Sequence, residues 1–131
     1  MRGEVIARFG RRANGWENDG INIAAAEGTP VWAAENGIVV YAGEDVPAFG
    51  RMVIVRHAGG WLTAYAHNRE ILVGVGDVVR RGQTIARVGR TGSVDRPQLH
   101  FQIRRGREPV DPLAHLPRGT RLAARAGSAV Q

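Results

Sequence analysis

Two short segments of this chain have residue spacings that are typical of hydrolytic metal sites. Asn18 and Asn22 are four positions apart, which is the spacing of a metal half-site. Gln98 and His100 are two positions apart, so in a strand their side chains share one face. Zinc prefers imidazole, thiolate and carboxylate ligands, whereas neutral amide oxygens bind it weakly. The spacing of a metal site is therefore present, but Asn18, Asn22 and Gln98 place amides at three of its four positions.

Two of the four histidines have a sequence context that favours function. A lone histidine on a strand is more often structural or solvent-exposed than a ligand. His67, however, ends the alternating segment "TAYAH", and His100 lies inside the alternating segment "RPQLHFQIR". These two histidines are the candidates for a site.

The composition limits the partners and the chemistry. All 18 basic residues are arginine, the formal net charge is +6, and the pI is about 11.3. This excess of positive charge favours acidic partners or anionic surfaces. No recognition helix or stacking-aromatic motif accompanies it, so we predict no nucleic-acid binding. Cysteine is absent, which excludes disulfides and thiolate ligands.

The length and the terminal segments indicate one domain and a tail. A chain of 131 residues suits one compact domain, which we assign to residues 1–116. Residues 117–131 are rich in Arg, Ala and Gly and lack alternation, so we predict a poorly ordered tail. No apolar run is long enough to span a membrane, and the N-terminus lacks the apolar core of a secretory signal. We expect a cytoplasmic protein or a domain excised from a longer one.

Short β-branched runs separated by glycine dominate the chain and predict an all-β fold. Asn36-Gly37 predicts a two-residue hairpin turn between the flanking strands, and Gly59-Gly60 predicts a second one. A short helical turn is expected near residues 112–116. Residues 27–43 and 75–89 resemble each other weakly, and hairpins of this kind also build lipoyl and biotinyl carrier domains. Those domains attach their cofactor to a lysine, and this chain has none.

Taken in order, the motifs resemble those of the lysostaphin-type or LytM metallopeptidases, which cut peptidoglycan cross-links. The resemblance runs from about Gly3 to Leu116. Active members carry His-x-x-x-Asp, Tyr-x-His and His-x-His motifs. In them the first His, the Asp and the last His hold zinc, while the other two histidines serve the attacking water and the oxyanion. The resemblance implies an antiparallel β-sheet fold, the duplicated hybrid motif, with a substrate groove.

Carried over to this chain, two of the three zinc ligands are replaced. The first ligand falls on Asn18, the second on Asn22, and the third on His100, which is retained. The middle catalytic histidine falls on His67, also retained, whereas its partner falls on Gln98. Without a bound metal no water with a lowered pKa is available for attack. We therefore predict no stoichiometric zinc, no other cofactor and no catalysis.

The surrounding sequence, including "NDGINIAA" and "PVDPLAHLP", is similar to degenerate LytM domains of the NlpD and DipM type. Such domains do not cut the wall themselves. They activate periplasmic N-acetylmuramoyl-L-alanine amidases, and in some cases other cell-wall hydrolases, during septal splitting. The resemblance thus implies a non-catalytic activator in the periplasm, with an amidase as partner and direct peptidoglycan contact as a further interaction.

On this interpretation the vestigial active site forms a groove that receives a protein ligand. Loop residues 44–50, with Phe49, are expected to form one wall. Two alternatives stay open: a residual zinc endopeptidase with an altered ligand set, and a plain peptidoglycan-binding module. The residues predicted to line the floor, with the last two near one end, are Asn18, Asn22, His67, Gln98, His100, Tyr65 and Trp61.

Overall fold

The computed structural model describes residues 4–11, 15 and 17–115. The predicted tail, residues 117–131, lies outside the described part of the chain. Within that part no helix is long and apolar enough to cross a membrane. In chain order the elements are β1 (Glu4–Ala7), β2 (Gly10–Arg11), β3 (Glu17–Asn18), β4 (Ile21–Ala24), β5 (Pro30–Trp32), β6 (Gly37–Gly43), β7 (Arg51–Arg56), β8 (Trp61–Ile71), β9 (Val78–Val79), β10 (Thr84–Val88), β11 (Gln98–Arg105), β12 (Glu108–Val110) and the single-turn helix α1 (Pro112–His115).

One antiparallel sheet contains most of these strands. Its main path runs β1-β4-β11-β8-β7-β6-β9, while β12 pairs with β11, and β10 joins β5 to β8. A separate two-stranded sheet pairs β2 with β3. The prediction of an all-β, antiparallel fold is confirmed, and the short helical turn lies where the sequence predicted it.

The two weakly similar segments pair with each other across the fold. Strand β6 of the first segment pairs with β9 of the second, and β5 pairs with β10. The predicted hairpin at Asn36-Gly37 is therefore wrong, because β5 and β6 diverge to different partners. Asn36 Oδ1 instead accepts the Arg81 backbone N–H at 2.8 Å. Glycine is needed at position 37 because a Cβ there would lie 2.4 Å from the Arg56 carbonyl oxygen.

The second predicted hairpin forms, although its loop is the three residues Ala58–Gly60 and not the predicted two. Strands β7 and β8 pair antiparallel and are joined by a short 3-10 turn at Ala58–Gly60. Gly59 and Gly60 have φ of 79° and 81°, a region that side chains rarely adopt. The His57 backbone N–H donates to the Trp61 carbonyl at 2.8 Å and closes the loop.

The two faces of the central strands have different environments. Alternate side chains of β4, β7, β8 and β11 enter the main core, where Tyr65 and Phe101 pack with their ring centroids 5.4 Å apart. The opposite face carries a smaller cluster made by Met52, Ala64 and Ala66. We call this second face the site face, because His100 lies on it beside Ala66.

Candidate functional site

Strand pairing brings the predicted polar residues together on the site face. Asn22 of β4 lies directly opposite His100 of β11, and Gln98 lies opposite Ala24. Ile21 and Ile23, which flank Asn22, are fully buried in the main core. Because side chains alternate along a strand, burying both isoleucines directs Asn22 to the site face. The alternation of "INI" and "QLH" therefore positions the two halves of the site.

Asn22 is the centre of a continuous side-chain network. Its Oδ1 accepts a hydrogen bond from Asn18 Nδ2 at 3.1 Å and another from His100 Nδ1 at 3.0 Å. Its Nδ2 donates to Gln98 Oε1 at 2.7 Å. Asn18 Oδ1 accepts the Gly20 backbone N–H at 3.3 Å. We call Asn18, Asn22, Gln98 and His100 the amide network; every amide and imidazole atom that links them has a partner inside the protein.

The proton on His100 is fixed by its neighbours. Nδ1 faces a carbonyl oxygen of Asn22 and must donate, while Nε2 faces the Gln102 amide nitrogen at 2.9 Å and must accept. Burial, helped by the nearby charge of His67 and Arg104, lowers the pKa of His100 to about 4. The ring is therefore neutral at physiological pH and holds one tautomer.

The network continues from His100 to the protein surface. Gln102 Oε1 accepts from Arg104 Nε at 2.9 Å, and Arg104 Nη2 lies 3.4 Å from Asp19 Oδ2. Gln102 and Arg104 were missed in the sequence analysis. The signal was present, because Gln98, His100, Gln102 and Arg104 follow one another at every second position of β11 and so share a face.

His67 reaches the site face through an unusual backbone conformation. Its φ is 68°, and among the described residues no other non-glycine residue has a positive φ. Such a conformation costs on the order of 1–3 kcal/mol and persists only where the surroundings enforce it. Asn68 supplies part of that restraint, since its Nδ2 donates to the carbonyls of Tyr65 at 2.8 Å and Arg51 at 3.1 Å. His67 Nδ1 donates to the Thr91 carbonyl at 2.8 Å.

Phe49 covers the two histidines from the loop that was predicted to form a wall. Its ring stacks on His100 with centroids 5.3 Å apart and planes 18° apart, and lies 6.4 Å from His67. The loop is fixed to residues 91–93, where the Ser93 N–H donates to the Ala48 carbonyl at 3.0 Å. Burial lowers the pKa of His67, although its bond to Thr91 opposes this.

This cover makes the site less open than the sequence predicted. Gln98 and His100 are only 6% and 5% exposed, whereas Asn18 and Asn22 are partly exposed. The buried polar atoms are bonded to one another, so they have little capacity left for a ligand. The floor is a surface whose buried polar atoms are hydrogen-bonded within the protein.

The donor set does not fit zinc. Among the described residues no group of three or more His, Cys, Asp or Glu side chains is arranged to hold a metal ion. His100 Nδ1 faces Asn22 Oδ1 at 3.0 Å, and in the tautomer that donates this hydrogen bond it has no lone pair for a metal. No anionic side chain in the amide network offsets a dication, and catalytic zinc sites need three strong ligands and an open position.

Tyr65 does not line the site, and the prediction that it does is wrong. It is fully buried in the main core, where its hydroxyl accepts the Ala34 N–H at 2.9 Å and lies 2.8 Å from Thr63 Oγ1. Burial raises its pKa to about 12. Regular alternation would place Tyr65 and His67 on one face, but the left-handed residue at position 67 turns the histidine to the other face.

Trp61 also lies away from the amide network, contrary to the prediction. It begins β8 on the same face as Thr63 and Tyr65, where it is half-buried against the main core. The Arg105 guanidinium lies 4.7 Å from its ring centroid, and the His115 ring is 5.5 Å away. Trp61 thus borders a different cavity, of about 770 Å³, on the opposite side of the sheet.

Comparison with curated sequences gives a consistent set of relatives. A family profile described as Peptidase family M23 matches residues 16–112. The chain is 45% identical over 124 residues to the cell division protein DipM of Caulobacter vibrioides, covering 90% of this chain and 20% of that protein. It is 50% identical over 116 residues to a lipoprotein NlpD/LppB homolog of Pseudomonas aeruginosa, covering 88% and 38%. It is 42% identical over 115 residues to the murein hydrolase activator NlpD of Escherichia coli, covering 88% and 30%. The chain thus spans well under half the length of these relatives.

Solved structures show the same fold. The catalytic domain of the antimicrobial peptidase lysostaphin from Staphylococcus simulans superposes with a TM-score of 0.77 at 29% identity. The match covers 88% of this chain and 91% of that domain. The antiparallel architecture predicted from the motifs is confirmed by this likeness.

Proposed function

Because the chain belongs to peptidase family M23, we propose that its domain is a catalytically inactive regulator that binds and activates peptidoglycan hydrolases. The hydrolases proposed as partners are N-acetylmuramoyl-L-alanine amidases, and the setting is septal cell-wall splitting in the periplasm. Relatives named as a cell division protein, a lipoprotein and a murein hydrolase activator support this direction.

The observation that carries the proposal is the position of Asn22. It occupies the centre of the site and holds Asn18, Gln98 and His100 in one network. A metallopeptidase needs a Lewis acid and an activated water at this place, and amide groups that are bonded to each other supply neither. The geometry supports loss of catalysis with retention of the fold.

Activation of a hydrolase by this domain depends on the difference between its binding free energies for the inhibited and the open state of the enzyme. A regulator shifts an enzyme between an inhibited and an open state only by as much as it binds the open state more tightly. A rigid face favours such selection, because little conformational entropy is lost when the partner binds. The bonded amide network and the Phe49 stack on His100 provide that rigidity on the site face.

Dye release from labelled peptidoglycan tests the proposal directly. The purified chain alone should release almost no dye, whereas addition of the chain to amidases from the same organism should raise the rate of at least one of them severalfold. Failure to stimulate any of those amidases would contradict the proposed function.

Metal analysis on the same preparation separates the endopeptidase alternative. A residual zinc enzyme would hold one zinc ion per chain and lose activity with a chelator. The amides at positions 18 and 22, which are weak zinc ligands, argue against this alternative. Sedimentation with purified sacculi tests the remaining alternative. A plain peptidoglycan-binding module would bind sacculi without changing the rate of any amidase.

A further inference from the structure

A second cavity lies on the opposite side of the sheet from the amide network. Its volume is about 770 Å³, which is a common size for a ligand-binding pocket. The loops after β5 and β7, strands β8 and β11 and helix α1 contribute to its lining. Its apolar wall includes Ala34, Ala58, Trp61 and Ile103. We call this space the rear cavity.

A chain of hydrogen bonds engages the polar groups of one wall of the rear cavity. His57 Nδ1 donates to the Asn36 carbonyl oxygen at 2.7 Å, since a carbonyl oxygen can only accept. His57 Nε2 lies 2.8 Å from Thr63 Oγ1, which in turn lies 2.8 Å from the Tyr65 hydroxyl oxygen. The Tyr65 hydroxyl also accepts the Ala34 N–H at 2.9 Å. The side chains of this wall are therefore bonded to the protein itself and are not available to a polar ligand.

The charged groups of the rear cavity leave one cation without a counter-ion. Glu35 is the only carboxylate among the described residues that line the cavity. Its Oε1 accepts the Asn36 N–H at 2.9 Å, and its Oε2 lies 3.8 Å from Arg81 Nη1. Glu108 lies opposite Arg105 in the register of β11 and β12. The Arg105 guanidinium nevertheless has no hydrogen-bond or ion-pair partner among the described residues, so its charge is available to a ligand.

Trp61 positions this guanidinium at the cavity. Arg105 Cζ lies 4.7 Å from the centroid of the Trp61 ring, which is a cation–π contact. The N–H groups that do not touch the ring remain free, and their fork matches the two oxygens of a carboxylate. The His115 ring packs edge-on against Trp61 with centroids 5.5 Å apart. Its nitrogens have no hydrogen-bond partner in the part of the chain that the structure describes.

We propose that the rear cavity binds a small organic carboxylate that carries an apolar body. The carboxylate binds the Arg105 guanidinium, with His115 as a second hydrogen-bonding group, and the apolar body lies against Trp61 and Ile103. Two sources share this chemistry: the C-terminus of a peptide that ends in small apolar residues, and a short-chain fatty acid. The rear cavity is separate from the amide network, so this inference does not depend on the proposed activation of a hydrolase.

The lining favours this ligand over other classes. A neutral polar ligand such as a sugar needs several hydrogen-bond partners, but His57 and Thr63 already bond within the protein. A ligand with several phosphates needs several free cations, and it would also meet the Glu35 carboxylate beside Arg81. One unpaired arginine next to an apolar wall suits a single carboxylate with an apolar body.

NMR titration of the purified chain tests the proposal with two probes, N-acetyl-D-alanyl-D-alanine and hexanoate, in separate arms. At least one probe should shift the Trp61 indole N–H signal saturably, with a Kd on the order of 1 mM. The same dipeptide with a C-terminal amide should bind at least about tenfold more weakly than the acid, because it lacks the anionic charge. Acetate should also bind about tenfold more weakly, because it has almost no apolar body.

Two variants test the two halves of the proposed contact. Arg105→Ala should weaken binding of the carboxylate about tenfold. Ala114→Phe, at an exposed position of α1 that lines the cavity, should weaken binding to a similar extent, because the larger side chain fills part of the space without changing the charge. The matched control Arg107→Ala removes the same charge in the turn between β11 and β12 and should change the Kd less than about twofold. Thermal unfolding of each variant shows whether the fold is retained.

Each outcome decides the inference. Saturable binding of the dipeptide alone supports it and identifies a peptide C-terminus as the source, whereas binding of hexanoate alone supports it and identifies a fatty acid. Binding of both supports the shared chemistry. The inference is overturned if neither probe shifts the Trp61 signal at concentrations up to about 20 mM. It is also overturned if the amide binds as tightly as the acid, or if folded Arg105→Ala and Arg107→Ala lose affinity equally or not at all.

Discussion

Replacing Asn22 with alanine tests the amide network as the element that holds the site together. The substitution removes the acceptor for His100 Nδ1 and Asn18 Nδ2 and the donor to Gln98 Oε1. Asn18 is partly exposed, so water can replace its lost partner. His100 and Gln98 are buried, and each is left with a polar atom that has no partner.

The expected loss follows from these two buried groups. A buried donor or acceptor without a partner costs about 1–3 kcal/mol, so Asn22→Ala should lower the free energy of unfolding by about 2–4 kcal/mol. His100 cannot adapt easily by changing tautomer. A proton on Nε2 would face the Gln102 amide N–H, and the Gln102 oxygen is already bonded to Arg104.

Urea unfolding at neutral pH measures this loss, with Asn36→Ala as the matched control. Asn36 makes one exposed side-chain bond, to the Arg81 backbone N–H, so its replacement should cost only about 0.5–1 kcal/mol. Equal losses for the two variants, within about 0.5 kcal/mol, would refute the argument that the buried side chains of His100 and Gln98 depend on Asn22 for their hydrogen-bond partners. Imidazole nitrogen shifts provide a second check: His100 should be protonated at Nδ1 in the wild type and lose that preference in Asn22→Ala.

Two further predictions concern protonation and metal binding. The pKa of His100 is about 4 in the folded protein and about 6.5 unfolded, so the unfolded state binds more protons and stability falls as pH drops from 6.5 towards 4. The loss should reach about 3 kcal/mol, and an NMR titration in which His100 protonates above pH 6 would contradict it. The triple variant Asn18→His, Asn22→Asp and Gln98→His should bind one zinc ion per chain, measured by native mass spectrometry. A folded triple variant without zinc affinity would show that the residue correspondence with active peptidases is wrong.

The alternation of polar and apolar residues along single strands was enough to predict most of the side chains that the structure brings together at the site. The segments "INI" and "QLH" each place a polar residue opposite buried apolar ones, and the structure joins Asn22, Gln98 and His100 through these two strands. Their role in binding a partner stays a prediction. The same alternation in β11 would have added Gln102 and Arg104 had it been followed further.

Alternation failed where one residue left the β conformation. The positive φ of His67 reverses the face on which its side chain lies, so Tyr65 belongs to the core and His67 to the site. The segment "TAYAH" gives no indication of the positive φ of His67, because contacts with residues distant in the sequence stabilise that conformation. Thr91 binds its ring, and Asn68 binds the carbonyl of Arg51.

The sequence by itself determined the strand content and the family, and it predicted amides at two of the three zinc-ligand positions, since each depends on residue types at short spacings. The tertiary structure decided which strands pair, and so it replaced the Asn36-Gly37 hairpin with the crossed pairing of β5 with β10 and β6 with β9. It also decided that the amides bond to one another and that Phe49 stacks on His100 beside them. Those features depend on contacts between residues distant in the chain, which local patterns do not encode.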